Sequence, residues 1–224
     1  MSDDLGSLAK GGILRAAINT GNRALVQQNG DLLSGVSPAL ARRLAHLIGA
    51  ELRTVIYDGA GKVFANAHED VWDVGFLAVD PMRAEKIAFT RPYHSIEATF
   101  AVRAGSELSD VKTVDRPGVK VLTSTGSAYD MHLTKTLTHA HLERSGTPSE
   151  SFAEFRDGRC NAVAGVRASL KEFFGNDPDV RILPGVLTAV HQAMVLPHKD
   201  DPRIAALDDF VARAVSDGFV AAHL

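Results

Sequence analysis

Residues 72–94 read WDVGFLAVDPMRAEKIAFTRPYH, and the fold follows from this stretch. Residues 74–79 are an apolar run broken only by Gly75. A run that continuous suits a strand buried on both faces, as in a parallel sheet flanked by helices. Asp80-Pro81 stops the strand, with Asp80 placed to cap a short helix and Pro81 at its first position. Residues 82–86 supply the helical turn, so Arg83 stands at the carboxyl end of a central strand. Ligands of open α/β sheets collect in that crevice. A guanidinium there suits a carboxylate gripped by two parallel bonds. Residues 87–93 follow as a short extended segment interrupted by Pro92.

Upstream, residues 13–18 read as a first strand, and Asn19, Thr20 and Asn22 form a polar loop at its carboxyl end. Ser37-Pro38 has the form of a cap followed by proline, and Leu40, Leu44, Leu47 and Ile48 recur on one helical face. Residues 52–57 are a second strand and 62–69 a short helix, so the opening reads β-α-β-α-β with a parallel sheet. Downstream, residues 96–103 are an extended run. Strands are expected at 119–123, 140–143, 161–165, 180–183 and 190–196. Helices are expected at 128–137, 149–156 and 167–174, with a last one from about Pro202. In that helix Ile204, Leu207, Phe210, Val211 and Val215 share a broad apolar face. The fold class is therefore α/β in two lobes, each a mixed, mostly parallel sheet flanked by helices. Lobe 1 comprises residues 1–100 and 190–224, and lobe 2 residues 101–189.

Composition narrows the function. Among 224 residues, 45% are hydrophobic and 23% charged, the balance of an ordinary globular protein. A net charge of -3, with no basic run interleaved with aromatics, leaves no footprint for nucleic acid. No apolar run approaches the roughly 18 residues of a membrane span. The opening MSDDLGSLAKGG is acidic where a secretory signal would be basic and then apolar. Either a signal peptide has been removed, which places the protein in the periplasm, or it stays in the cytoplasm. The lone Cys160 lies in an apolar stretch and reads as a buried structural thiol.

Cofactor and metal signatures are missing from the sequence. DGAGK at 58–62 is no phosphate loop, because Ile56 stands where its first glycine belongs. His132, His139 and His141 have no carboxylate at ligand spacing, so no metal is expected. No G-x-S-x-G elbow exists. Trp72 reads as a core aromatic.

Taken together, GILRAAINTGN, WDVGFLAVDPMRAEKIAFTRPY, VKVLTSTGSAYD and FRDGRCNAVAGV resemble, in order, the bacterial extracellular solute-binding proteins of family 3, which share the type II periplasmic-binding fold. The resemblance implies two lobes joined by crossing strands near residues 99–103 and 189–194, closing on a ligand. In family members that bind amino acids, the arginine matching Arg83 holds the α-carboxylate, helped by the turn matching Ser124, Thr125, Gly126 and Ser127. Backbone N–H groups of such a turn, at a helix start, also suit an anion on physical grounds.

Departures from the family pattern sharpen this. The acidic residue that holds an α-ammonium aligns with Val166, and two polar positions align with Phe76 and Ala78. An ammonium left unpaired among these side chains costs on the order of several kcal/mol. The expected ligand is a small carboxylate without an α-amino group. Tyr93, His94, His191 and Gln192 are further candidates, near the rim and the second crossing. Two readings remain open. One is a non-catalytic binding protein, delivering solute to a membrane transporter if exported. The other is a lyase or isomerase on the same fold, cyclohexadienyl dehydratase being a precedent, with His94, His191, Tyr93 and Glu97 as candidate groups. A cytoplasmic ligand sensor is a third possibility.

Overall fold

The computed structural model describes residues 2–224. Along the chain run α1 (Ser2–Gly6), β1 (Ile13–Asn19), β2 (Gln27–Asn29), β3 (Leu32–Ser34), α2 (Val36–Leu47) and β4 (Glu51–Tyr57). Then come α3 (Ala60–Ala65), β5 (Val74–Ala78), α4 (Pro81–Ala84), β6 (Ala88–Arg103), β7 (Lys120–Ser124), α5 (Ala128–Thr136) and β8 (His141–Ser145). The chain ends with α6 (Pro148–Arg156), β9 (Ala162–Val166), α7 (Arg167–Phe174), β10 (Val180–Ile182), β11 (Thr188–Leu196) and α8 (Ile204–Ser216). Two units partition the chain. The first holds residues up to 20, 24–95 and 191–224, and the second holds 21–23 and 96–190. The chain passes between them within β6 and β11, and on either side of residues 21–23.

In the first unit the strand order is β4-β1-β5-β11-β6. β1 runs parallel to β4 and β5, whereas β11 is antiparallel to β5. All five residues of β5 are buried, as its unbroken apolar run requires. On one face Ala17, Leu77 and Val195 pack with Val63, Ala67, Trp72 and Ile87. Trp72 is thus a core residue, 1% exposed. Asp73, beside it, accepts from the backbone N–H and Nε of Arg15 at 2.8 and 3.0 Å and from its Nη2 at 2.7 Å, tying β5 to β1.

The start of α2 differs from the cap-plus-proline expectation. Gly35, with φ of 97°, is the N-cap, and Ser37 lies inside the first turn. The Ser37 hydroxyl is 3.1 Å from the buried Tyr93 hydroxyl, so it serves a tertiary contact instead of the helix end. A β-carbon on Gly35 would stand 2.5 Å from the Leu25 carbonyl oxygen. Gly35→Ala is expected to destabilise the protein by about 1–3 kcal/mol, since both the positive φ and the backbone clash must be relieved. A urea titration that moved less than about 0.5 kcal/mol would show that this turn relaxes freely.

Other boundaries moved for local reasons. α3 ends at Ala65 because Asn66 folds back, its Nδ2 donating to the Lys62 carbonyl at 2.9 Å. Extended segments expected separately at 87–93 and 96–103 form one strand of 16 residues, since Pro92 sits at an exposed position. Leu47 and Val215, expected on buried faces, are 47% and 45% exposed. The apolar faces are narrower, with Ala41 and Ala45 in α2 and Ala214 in α8 filling the inner positions.

In the second unit the order is β6-β9-β7-β8, with β10 on β6. β7 is parallel to β8 and β9, and β6 antiparallel to β9 and β10. Its core gathers Ala101, Leu122, Phe152, Phe155, Cys160, Val163, Leu170 and Phe174. The Cys160 thiol is pushed up to about 12 by burial, which makes it a packing residue and not a nucleophile.

Candidate functional site

Parallel strands point their carboxyl ends the same way, and α/β proteins put ligands there. In the first unit that edge carries Asn19 from β1 and Arg83 just after β5. Asp80 caps α4 by accepting from the Met82 and Arg83 N–H groups at 2.8 and 3.3 Å, and Pro81 takes the first helical position. This fixes Arg83 one turn beyond the strand. Its side chain is 1% exposed, with Nη1 donating to the Ala78 carbonyl at 3.0 Å and the guanidinium 5.9 Å from the Phe64 ring centre. Burial pulls the guanidinium down to about 10, against an opposing pull from Asp80. At neutral pH it stays charged, and a carboxylate brought to it would restore what desolvation removes.

Several other expected residues lie on β5, β6 and β11 of the same sheet. Phe76 and Ala78 pair across the sheet with Met194 and Gln192, which places all four on one face. Gln192 is 5% exposed and Phe76 and Ala78 4% each. Phe76 meets Tyr93 edge-on at 6.2 Å. The Tyr93 hydroxyl is held by Ser37, and burial raises its pKa far above the usual phenol range. His94 follows on β6, half-buried, and burial lowers its imidazole pKa. His191 is exposed, with its carbonyl accepting from the Val79 N–H at 2.8 Å.

The polar loop after β1 does not act as one group. Asn19 belongs to the first unit and Asn22 to the second. Residues 21–23 attach to α7: the Arg23 N–H donates to the Ser169 hydroxyl at 3.2 Å, and Arg23 pairs with Glu172 at 3.8 Å.

In the second unit β7 and β9 are neighbouring parallel strands, so the turn 124–127 and Val166 share an edge. Gly126 has φ of 70°, which lets the chain turn sharply into α5. Val166 is the N-cap of α7 and supplies no side-chain acceptor. No acid therefore stands at that position. The turn itself is heavily bonded. Thr125 N–H donates to the Ser145 carbonyl at 2.7 Å, Gly126 N–H to Asp130 Oδ2 at 2.8 Å, and Ser127 N–H to the Ser124 carbonyl at 3.2 Å. Ser124 and Tyr129 share a hydroxyl pair at 2.7 Å. Sequence reading missed Asp130, although Ser127-x-x-Asp130 has the spacing of a capping box.

Among the described residues no group of three or more metal-ligating side chains converges, and no helix is long and apolar enough to cross a membrane.

Known structures share this architecture. The cysteine-binding protein from Campylobacter jejuni superposes with a TM-score of 0.83 at 19% identity, covering 99% of this chain and 90% of that one. Holo ArgBP from T. maritima gives 0.78 at 21%, covering 96% and 92%. The ancestral amino acid-binding protein AncCDT-1, a precursor of cyclohexadienyl dehydratase, gives 0.78 at 18%, covering 97% and 96%. Identities this low establish the fold, that of type II periplasmic binding proteins. The match over residues 14–223 goes further: the chain belongs to the bacterial extracellular solute-binding proteins, family 3. No curated protein sequence matches it.

Proposed function

We propose that this solute-binding protein takes a small carboxylate lacking an α-amino group, with Arg83 as the carboxylate holder. The observation that carries the reading is Val166 at the head of α7, where an ammonium would need an acid and none is supplied. Phe76 and Ala78, both nearly fully buried, add apolar surface on the first unit and offer an ammonium no side-chain acceptor. The named neighbours bind amino acids such as cysteine, so this chain departs in ligand while keeping their fold. A role in handing solute to an ABC-type transporter follows from family membership and belongs to the same proposal.

Thermal unfolding against matched sets of α-amino, 2-keto and 2-hydroxy acids tests it. At 100 times its Kd a ligand adds about 2.7 kcal/mol of stability, a shift of several degrees. The keto or hydroxy acid of a set should shift the protein and its amino partner should not. The reverse order would sink the missing-ammonium argument, and a silent panel would sink the carboxylate.

An enzymatic reading keeps one observation on its side. The half-buried His94 imidazole, lowered by burial, is neutral near pH 7 and able to accept a proton. Incubating the stabilising acid with the protein and looking for turnover decides between the two.

A further inference from the structure

We infer that the Gln192 carboxamide reads a neutral oxygen on the solute, so that the acid held at Arg83 is a short hydroxy or keto acid and not an unsubstituted one. The inference rests on the carboxylate reading above and deepens it. Every residue it uses belongs to the first unit.

Gln192 on β11 is 5% exposed, yet among the described residues its side chain makes no hydrogen bond. A buried amide without a partner is destabilising, and folded proteins rarely keep one without a use. Its neighbours on that face of the sheet cannot supply the partner. Phe76, Ala78 and Met194 carry no side-chain oxygen or nitrogen. The Tyr93 hydroxyl, beyond Phe76, is already taken up by Ser37 at 3.1 Å. The amide is not sealed in, however: both of its polar atoms keep some surface that a small molecule can reach.

Strand register sets this amide beside Arg83. The Val79 N–H donates to the His191 carbonyl at 2.8 Å, which makes residues 79 and 191 a hydrogen-bonded pair. Ala78 and Gln192, the next pair along, are then a non-hydrogen-bonded one, with Cα atoms about 4.5 Å apart and side chains close. In such a pair the Ala78 carbonyl turns away from β11, and there it accepts from Arg83 Nη1 at 3.0 Å. The guanidinium and the amide therefore flank Ala78, which contributes only a methyl group.

A short acid laid over Ala78 meets Arg83 with its carboxylate and Gln192 with its next oxygen. The amide offers both a donor and an acceptor. A hydroxyl uses both, and a keto oxygen takes the donor. An ammonium finds only a neutral carbonyl oxygen, which leaves its charge unbalanced. An unsubstituted acid leaves the amide without a partner, so the site discriminates against it.

Calorimetric titration of wild type, Gln192→Met and Gln192→Leu with matched hydroxy, keto and unsubstituted acids tests this. Wild type should bind the oxygenated member of a set at least about tenfold more tightly than the unsubstituted one. The variants should bring that ratio within about twofold, by weakening the oxygenated acid and leaving the other unchanged. The Gln192 side-chain amide resonance, which needs wild type alone, should move with the oxygenated acid and stay with the unsubstituted one. Equal binding of the two acids by wild type, or a still amide resonance, overturns the inference and leaves the carboxylate reading standing. A preference that persists in the folded variants places the oxygen elsewhere and overturns it too. A panel that is silent, or won by the α-amino acids, rejects the carboxylate reading itself, and the role of Gln192 falls with it.

Discussion

Arg83→Met is expected to leave the protein folded, with stability within about 1.5 kcal/mol of wild type, while carboxylate binding collapses. The two effects separate because the guanidinium is 1% exposed. A buried cation carries a desolvation penalty, visible in a pKa pulled down to about 10, and an apolar side chain of similar length removes it. Against that gain stand lost contacts, among them the bond from Nη1 to the Ala78 carbonyl, worth about 1 kcal/mol, and the approach to the Phe64 ring. The Asp80 cap is untouched, since it uses only the backbone of residues 82 and 83. For the ligand no compensation exists. Removing one partner of a buried, hydrogen-bonded charge pair costs about 2–5 kcal/mol, which is roughly thirtyfold to several thousandfold in Kd. Calorimetric titration of the best acid from the panel, with urea unfolding of both proteins, reads the two effects separately. Binding that survives the substitution would remove Arg83 from the site. A loss of both stability and binding would make it a structural residue.

The placement of Arg83 was legible in sequence because every step leading to it is local. β5 is a continuous apolar run, Asp80 and Pro81 are adjacent cap and first-turn residues, and the helix they start is four residues long. Val166 was legible only through the family pattern. In the structure it proves to be a helix N-cap, a place where propensity favours Ser, Thr, Asp or Asn. The unread parts depend on long-range pairing. Ser37 meets Tyr93 across 56 residues, which is why the cap expectation for Ser37 failed. Arg144 reaches Asp130 only because β8 lies beside β7 in a register that sets Arg144 opposite Thr123. The hairpin of β2 and β3 was a different kind of miss. Gly30-Asp31, with Gly30 at φ of 58°, is the two-residue loop between the paired Asn29 and Leu32, a short-range turn signal that the helix starting soon afterwards overshadowed.

Phe155→Ala is expected to cost the second unit about 3–5 kcal/mol, while Phe155→Leu should cost less than about 1.5 kcal/mol. Phe155 is 0% exposed in the last turn of α6 and packs edge-on against Phe174 at 5.6 Å. Its other neighbour is charged. The Arg103 guanidinium lies 4.9 Å from the ring centre, and its Nη2 donates to the Phe155 and Arg156 carbonyls at 2.8 and 2.7 Å. Truncation removes apolar burial, an aromatic pair and a cation–π contact together, whereas leucine keeps most of the volume. The functional consequence follows from what this core supports. Leu122 of β7 and Val163 of β9 belong to the same cluster, and those strands end in the turn with Asp130 and in Val166. Urea unfolding measures the stability term. A loss below about 1 kcal/mol for the alanine variant would mean that α6 collapses into the gap, and that the edge carrying the turn tolerates repacking beneath it.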